Sequence, residues 1–397
     1  MNILVIHETE YIKKMVFEYQ IIPELWASWG HNVYVVDFET DWRRTGFFNF
    51  RSKTLTIKNV RKADKKEGIT LIRPGFIKLP IISRFSAAIN HYFVIKKALV
   101  DKKIDVVFLY SVPTNGYQVI RLAKKFKIPV YFRLLDVLSQ LVPYKILEHP
   151  TKYLEKYVYP KVDQLTAITP KLTRRAIEMG ANAKTTSYLP SASDTDLFFP
   201  KAKDISLMKS LNIKKSDKII TFAGTLYNFS GLDKVLNYFA ENIKRFGNLK
   251  FLIIGNGLQE MLLNKIVAEN HIEDRVIMTG FIEYEQLGKY LNLADICICP
   301  FEINQITDTI FPGKIYQYLA CEKPVLTSRL PGVIDIFPDN GGKNNIYYYN
   351  YKKPSDFFKV LESIKFKKIK NLEPSLQDIA KTIEGDLYRL IESRAKK

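Results

Sequence analysis

In the stretch TDTIFPGKIYQYLACEKPVLTS, Pro312, Gly313 and Lys314 stand immediately before an apolar helical pattern. Unbonded amides at a helix start, the positive end of its dipole and one ammonium together suit an anion, a diphosphate above all. In FAGTLYNFSG and FLIIGNG, Gly224, Gly255 and Gly257 end apolar strands and allow backbone to come close to a ligand, although strand-end glycines also serve simply as turns. Asp194-Thr-Asp196 has a spacing at which carboxylates hold Mg or Mn, but it lies in the turn-rich LPSASDTDLFFPKAKD, and Asp is a favoured turn residue. The five histidines (His7, His31, His91, His149, His271) have no metal spacing, and neither a Gly-x-Ser-x-Gly nor a Walker sequence occurs. Cys297 and Cys299 alternate within ADICICPF and, with Cys321, read as buried thiols of a reducing compartment. No metal site is expected.

The elements that must position these groups follow one rhythm. NILVI, a helix through Glu24 to Trp29, and NVYVVDF are followed by IDVVFLY, a helix, IPVYFRLL and DQLTAI, which is a βαβ alternation with strands apolar enough to be parallel and buried. After residues 188 to 205 it restarts with KIITFAG, LKFLIIG, RVIMTG, ADICICP and KPVLTS. The spacing predicts two parallel α/β domains, 1–187 and 188–373, with ligand where strand C-termini converge on a cleft between them. A terminal helix over 374–397 starts at Pro374 and Ser375. HETEYIKK after the first strand has no glycine, so a Gly-x-Gly-x-x-Gly dinucleotide fingerprint is absent there.

A chain of 397 residues with 47% apolar and 25% charged residues is an ordinary globular protein; disulfide miniatures, wholesale disorder and multi-span membrane proteins are excluded. Its charge is unusual: 60 Lys and Arg against 41 Asp and Glu give +19, a bias toward polyanions. Residues 51 to 150 carry 20 basic and 6 acidic residues, residues 251 to 350 carry 7 and 12. WRRTGFFNFRSK interleaves Trp42, Phe47, Phe48 and Phe50 with Arg43, Arg44, Arg51 and Lys53, a mixture suited to an anionic lipid surface, to single-stranded nucleic acid, or to a solvated loop with aromatics packed beneath it. Membrane contact is expected from Trp42, Arg43, Arg44, Phe47, Phe48 and Arg51. In KLPIISRFSAAINHYFVIKKALV, Ile82, Phe85, Ile89 and Phe93 form a helical stripe with Lys96 and Lys97 at its flank, expected to face the core, with membrane contact as the lesser alternative. MNILVIHETE lacks a basic n-region and cleavage site, and no apolar run is long enough to span a bilayer, so the expectation is a cytoplasmic chain, peripheral on the inner face of the membrane.

WGHNVYVVD, SASDTDLFFP, LKFLIIGNG, DRVIMTGFIEYEQLGKYLNLADICICPF and FPGKIYQYLACEKPVLTS, in that order and spacing, resemble glycosyltransferase family 4, a GT-B fold group. The resemblance covers most of the chain and is strongest from about residue 185 to 330. It implies two Rossmann-like domains facing a central cleft, a terminal helix crossing back to the first, and a nucleotide-sugar co-substrate held mainly by the second, with no cofactor. It also implies transfer without metal and with retention of anomeric configuration. Donor contacts then fall on Gly224, Thr225, Gly255, Gly257, Ile282, Asp308, Thr309, Phe311, Gly313, Lys314 and Gln317, and catalysis on Asp136 and Lys314. Where the family carries two glutamates this chain has Thr309 and Gln317, where it carries Arg and Lys it has Thr225 and Ser230, and its His-Asp pair is Leu135-Asp136. Lys314 is left as the main cation for a diphosphate, with an exposed lysine at a helix start as the plain alternative; Asp136 faces sugar or acceptor, or else caps the next helix.

The expected function is sugar transfer from a nucleotide-sugar donor to a lipid-linked or other envelope glycan at an anionic membrane surface, with no nucleic-acid partner. A nucleotide-sugar epimerase or hydrolase of the same fold, and a non-catalytic binding or scaffold protein, are the alternatives.

Overall fold

Runs such as NILVI and KIITFA are apolar at successive positions because each becomes an inner strand with parallel neighbours on both sides and both faces covered. The computed structural model describes residues 1–39, 50–63, 65–79, 82–142, 145–365 and 374–396. Trp42, Arg43, Arg44, Phe47 and Phe48 lie outside the described residues. The chain divides into two units, Met1–Ser191 with Leu376–Lys397, and Ala192–Ser375.

The first unit holds β1 (Asn2–Ile6), β2 (Asn32–Val36), β3 (Leu55–Val60), β4 (Ile69–Arg73), β5 (Val106–Leu109), β6 (Val130–Leu134), β7 (Gln164–Ala167) and β8 (Thr186–Tyr188). Their order is β3-β4-β2-β1-β5-β6-β7-β8, parallel except for β3, which runs antiparallel to β4 at the edge. The helices are α1 (Glu18–Ser28), α2 (Ile82–Asp101), α3 (Gly116–Phe126), α4 (Glu148–Val158) and α5 (Pro170–Glu178). At the start of α5 the Thr169 hydroxyl accepts the Leu172 N–H, and Pro170 takes a position where no amide is needed.

The second unit holds α6 (Ile205–Ser210), β9 (Lys218–Ala223), α7 (Leu232–Glu241), β10 (Leu249–Ile254), α8 (Glu260–Glu269), β11 (Val276–Gly280), α9 (Tyr284–Leu293), β12 (Ile296–Cys299), α10 (Lys314–Ala320), β13 (Val325–Ser328), α11 (Pro331–Ile336), β14 (Ile346–Tyr349) and α12 (Pro354–Ser363). Its sheet, β11-β10-β9-β12-β13-β14, is parallel throughout. The last helix, α13 (Leu376–Ala395), belongs to the first unit: Trp26 Nε1–H donates to the Ala380 carbonyl at 3.1 Å, and Gln164 Nε2–H to Asp386 Oδ2 at 2.7 Å.

Two expectations need correction. The first unit extends past residue 187 because Arg133, fully buried on β6, pairs with Glu18 at 2.7 Å and donates to the carbonyls of Leu189 and Pro190 at 2.6 and 2.9 Å, while Ser191 donates to Glu18 at 2.9 Å. These bonds satisfy a guanidinium that burial would otherwise destabilise, and they fix residues 189–191 to the first unit. The stripe of α2 faces outward: Ile82, Phe85, Ile89 and Phe93 are exposed, and Ser83, Ala87, His91, Ile95, Ala98 and Leu99 meet the interior.

Candidate functional site

In the second sheet the connections leave β9 toward β10 on one side and toward β12 on the other, and at such a switch point the loops beyond the strand C-termini part and admit a ligand. Phe222 is the penultimate residue of β9, Gly224 follows that strand, and Phe301 stands two residues beyond β12. Lys314, the first residue of α10, places Nζ 3.7 Å from the ring centroid of Phe222 and 4.7 Å from that of Phe301. The hydroxyl of Tyr318 holds the helix there by accepting the Ala223 N–H at 2.8 Å. The amine is shut off from solvent with no hydrogen-bond partner, and this burial pulls Lys314 from 10.5 down to about 8. The lysine is therefore enclosed, not a solvated residue at a helix start. A buried ammonium without a counter-charge is costly, and an anion at this point would relieve it.

The glycines make this approach possible. A Cβ on Gly224 would stand 2.7 Å from Lys314 Nζ, and its φ of +132° suits only glycine. Gly255, with φ +122°, packs so closely that a Cβ would lie 2.2 Å from the Gly224 carbonyl oxygen. Gly224, Gly255 and Lys314 thus meet in one place. Gly255→Ala is expected to force the two loops apart and lower Tm by several degrees; a melt by circular dichroism identical to wild type would show that the loop spacing is set elsewhere.

Other residues singled out in the sequence have different surroundings. The amides of Ile315 and Tyr316 already bond to the carbonyls of Pro312 and Gly313, so the expected group of free amides shrinks to those of Gly313 and Lys314. Gly257 packs against the Leu226 backbone, and Thr225 and Ile282 are half-buried. Asp308 is half-buried and already has a partner, and the Thr309 hydroxyl donates to the Ile306 carbonyl at 3.4 Å. Phe311 is buried with its ring 4.6 Å from Tyr316, and Gln317 hydrogen-bonds Tyr284. None of Ile282, Asp308, Thr309, Phe311 and Gln317 hydrogen-bonds Lys314 Nζ. Ser230 donates to Gln259 Oε1. Asp194 folds a turn, accepting the Asp196 N–H at 3.2 Å, and the three cysteines are buried free thiols; among the described residues no group of His, Cys, Asp and Glu is arranged to hold a metal.

The first sheet has its own switch point between β1 and β5. His7 follows β1 and Tyr110 follows β5; His7 Nε2, the Tyr110 hydroxyl and Asn115 Nδ2 are all buried without a partner. Burial lowers His7 to about 4, so its imidazole is neutral, with Nδ1 accepting the Thr9 N–H at 3.2 Å. Sequence reasoning missed Tyr110 and Asn115 and set His7 aside with the other histidines; the available signal was their place directly after central strands. Asp136 lies two residues beyond β6 with no hydrogen bond or ion pair to the described residues, and desolvation alone pushes its carboxyl from 3.8 up to about 7. The short 3-10 turn that follows, Leu138–Gln140, has no side-chain cap, so Asp136 does not serve as one. Arg51 is exposed and pairs in backbone with Ile77.

Among solved structures, sucrose-phosphate synthase from Thermosynechococcus elongatus superposes with a TM-score of 0.66 at 15% identity, covering 99% of this chain and 94% of the other. The Anabaena protein HepE in complex with UDP-glucose matches with a TM-score of 0.65 at 13% identity, over 100% and 98% of the two chains. The fold is GT-B. Residues 204–371, most of the second GT-B unit, match the family Glycosyl transferases group 1. A curated relative, alpha-monoglucosyldiacylglycerol synthase of Acholeplasma laidlawii, is 23% identical over 69% of this chain and 72% of its own length. The 2-deoxystreptamine glucosyltransferase of Streptomyces kanamyceticus is 22% identical over 53% of this chain, which spans about half of that relative (54%). Together these findings support a GT-B glycosyltransferase. No helix among the described residues is long and apolar enough to cross a membrane.

Proposed function

We propose that this protein is a retaining glycosyltransferase of family 4 that transfers a sugar, without a metal, from a nucleotide-sugar donor to a lipid-linked or envelope glycan acceptor at the cytosolic membrane face. The observation that carries the reading is the unpartnered, desolvated amine of Lys314 at the β9/β12 switch point. Breaking the bond between a sugar and a diphosphate leaves negative charge on the diphosphate oxygen, and a cation fixed in a dry site stabilises that charge more than water does. Lys314 and the amides of Gly313 and Lys314 are the groups for it. A carboxyl near neutrality, such as Asp136, suits proton exchange with the acceptor hydroxyl. HepE binds UDP and UDP-glucose, which supports a nucleotide-sugar donor, and the name of the Acholeplasma relative, a glucosyl lipid synthase, supports a lipid acceptor.

A second reading, a GT-B binding protein without turnover, is favoured by Thr309 and Gln317, which replace carboxylates and are engaged with Ile306 and Tyr284. Thermal shift with UDP-, GDP- and dTDP-sugars decides the first step, because a ligand bound only by the native state raises Tm. One nucleotide is expected to raise Tm selectively, and donor consumption with an added glycan acceptor is expected to continue in EDTA. No rise with any nucleotide would sink the donor site, loss of turnover in EDTA would sink the metal-free step, and a rise without product would favour the binding protein.

A further inference from the structure

Helix α2 leaves its most apolar stripe uncovered. At 100° per residue, Ile82, Phe85, Ile89, Phe93 and Val100 fall within an arc of roughly 80°. This arc faces solvent, with Phe85 69%, Ile89 63% and Phe93 60% exposed. Burial goes to the opposite side, with Ser83, Ala87, His91, Ile95 and Ala98, where Ala87 packs with Phe38 and Phe76. The apolar strip continues beyond the helix: Ile77, also exposed, donates its N–H to Ser86 Oγ at 3.0 Å, and the carbonyl of exposed Phe50 accepts the Lys78 N–H at 2.7 Å. A contiguous row of large apolar side chains left in water is a feature that soluble proteins keep for a partner.

The charges around this strip identify the partner. In the following turn Lys96 is exposed within the arc, where its long stem can carry the ammonium to the rim, and Lys97 is exposed just beside it; Arg51 and Lys53 are exposed in the adjoining segment. None of the four has an acidic partner among the described residues, and the only acid on α2 is Asp101 at its end. Aromatic and aliphatic side chains ringed by unpaired cations match the boundary of an anionic bilayer, where rings enter the acyl region and ammonium groups meet lipid phosphates. A second copy of the same face would bring unpaired lysines toward one another across a two-fold axis.

We propose that the outer face of α2 lies flat on an anionic membrane surface, with Ile82, Phe85, Ile89 and Phe93 inserted and Lys96 and Lys97 on the phosphates. This surface depends on no step of the sugar chemistry. The test is sedimentation of the full chain with vesicles of phosphatidylcholine, with and without phosphatidylglycerol. Wild type is expected to sediment only with the anionic vesicles, and the double variant F85S/F93S to lose about tenfold or more in partitioning, with Tm and nucleotide binding unchanged. Lys96→Glu with Lys97→Glu, on side chains that hold nothing in the fold, is expected to abolish the preference for anionic vesicles and to decide the matter should the first variant not fold. Met261→Ser, which removes an exposed apolar residue from the other unit, is expected to change nothing. Absence of wild-type sedimentation, or undiminished sedimentation of both variants, would overturn the proposal. So would a smaller particle for F85S/F93S in analytical centrifugation, which would make the face a contact between copies, or a large fall in its Tm without a change in sedimentation, which would make it a face covered by the chain itself.

Discussion

Lys314→Met is expected to make the protein more resistant to heat and unable to hold a nucleoside diphosphate. Methionine keeps an unbranched chain between the rings of Phe222 and Phe301 but brings no charge into a space where the ammonium has no partner. A lysine held near 8 instead of 10.5 corresponds to roughly 3 kcal/mol of desolvation, of which the ring faces return about 1 kcal/mol. Tm should rise by about 2–5 °C, while loss of the charge-assisted bonds to a diphosphate should weaken its binding by about 10- to 100-fold, and that of the nucleoside far less. The same lysine sets a pH dependence. Between about 8 and 10.5 the unfolded chain binds the proton that the native chain has released, so ligand-free stability rises with pH across that window and the penalty is fully present below it. Diphosphate binding runs the other way, steady below about 8 and weakening above it as the amine must be recharged. Calorimetric titration of Lys314→Met and of wild type across this range reads both effects; unaltered diphosphate affinity in the variant would remove Lys314 from the site.

Asp136→Asn is expected to separate turnover from stability. The native carboxyl holds its proton up to about 7 whereas the unfolded chain releases it near 3.8, so stability falls as pH rises from about 4 to about 7 and is level above that. Complete desolvation over that interval would amount to roughly 4 kcal/mol; the side chain keeps some solvent, and a loss on the order of 2 kcal/mol is expected. Asparagine removes that dependence, so its melting temperature should exceed that of wild type at pH 8 and equal it at pH 4. If the carboxyl exchanges a proton with the acceptor, kcat should drop by about 100-fold or more, with nucleotide affinity unchanged. A variant that gains stability and keeps its kcat would leave Asp136 with no part in the chemistry.

Much of the architecture was readable from the chain because inner parallel strands need apolar residues on both faces, and ICIC, LKFLII and VVFL declare this directly. The edge strand β3 (LTIKNV) was not, since one partner and an exposed surface impose no such pattern. Helical period revealed the stripe of α2 but not its direction. Hydrophobicity alone pointed inward, whereas the fold buries the side with Ser83, Ala87, His91, Ile95 and Ala98, a mixture of small, polar and apolar residues that no hydrophobic pattern marks. At the candidate site, the type and position of Lys314 were legible, and its enclosure was not, because Phe222 comes to it from a far earlier strand and Phe301 from the loop after β12, neither at a helical or strand spacing from it. Tyr110 and Asn115 escaped notice, and His7 was set aside with the other histidines, for a related reason: a polar residue at a strand end looks the same whether or not its hydrogen bonds are met.

The return of α13 to the first unit has a consequence for synthesis on the ribosome. Trp26 and Gln164 must wait for Ala380 and Asp386, more than 200 residues downstream, and the side chain of His31 for Glu384 at 2.5 Å. Every segment of the second unit, by contrast, has been made before α13 begins. The emerging chain therefore completes its later-made unit first and keeps the side of α1 that α13 will cover open to solvent in the meantime, an interval in which chaperones and translation speed act on the first unit more than on the second.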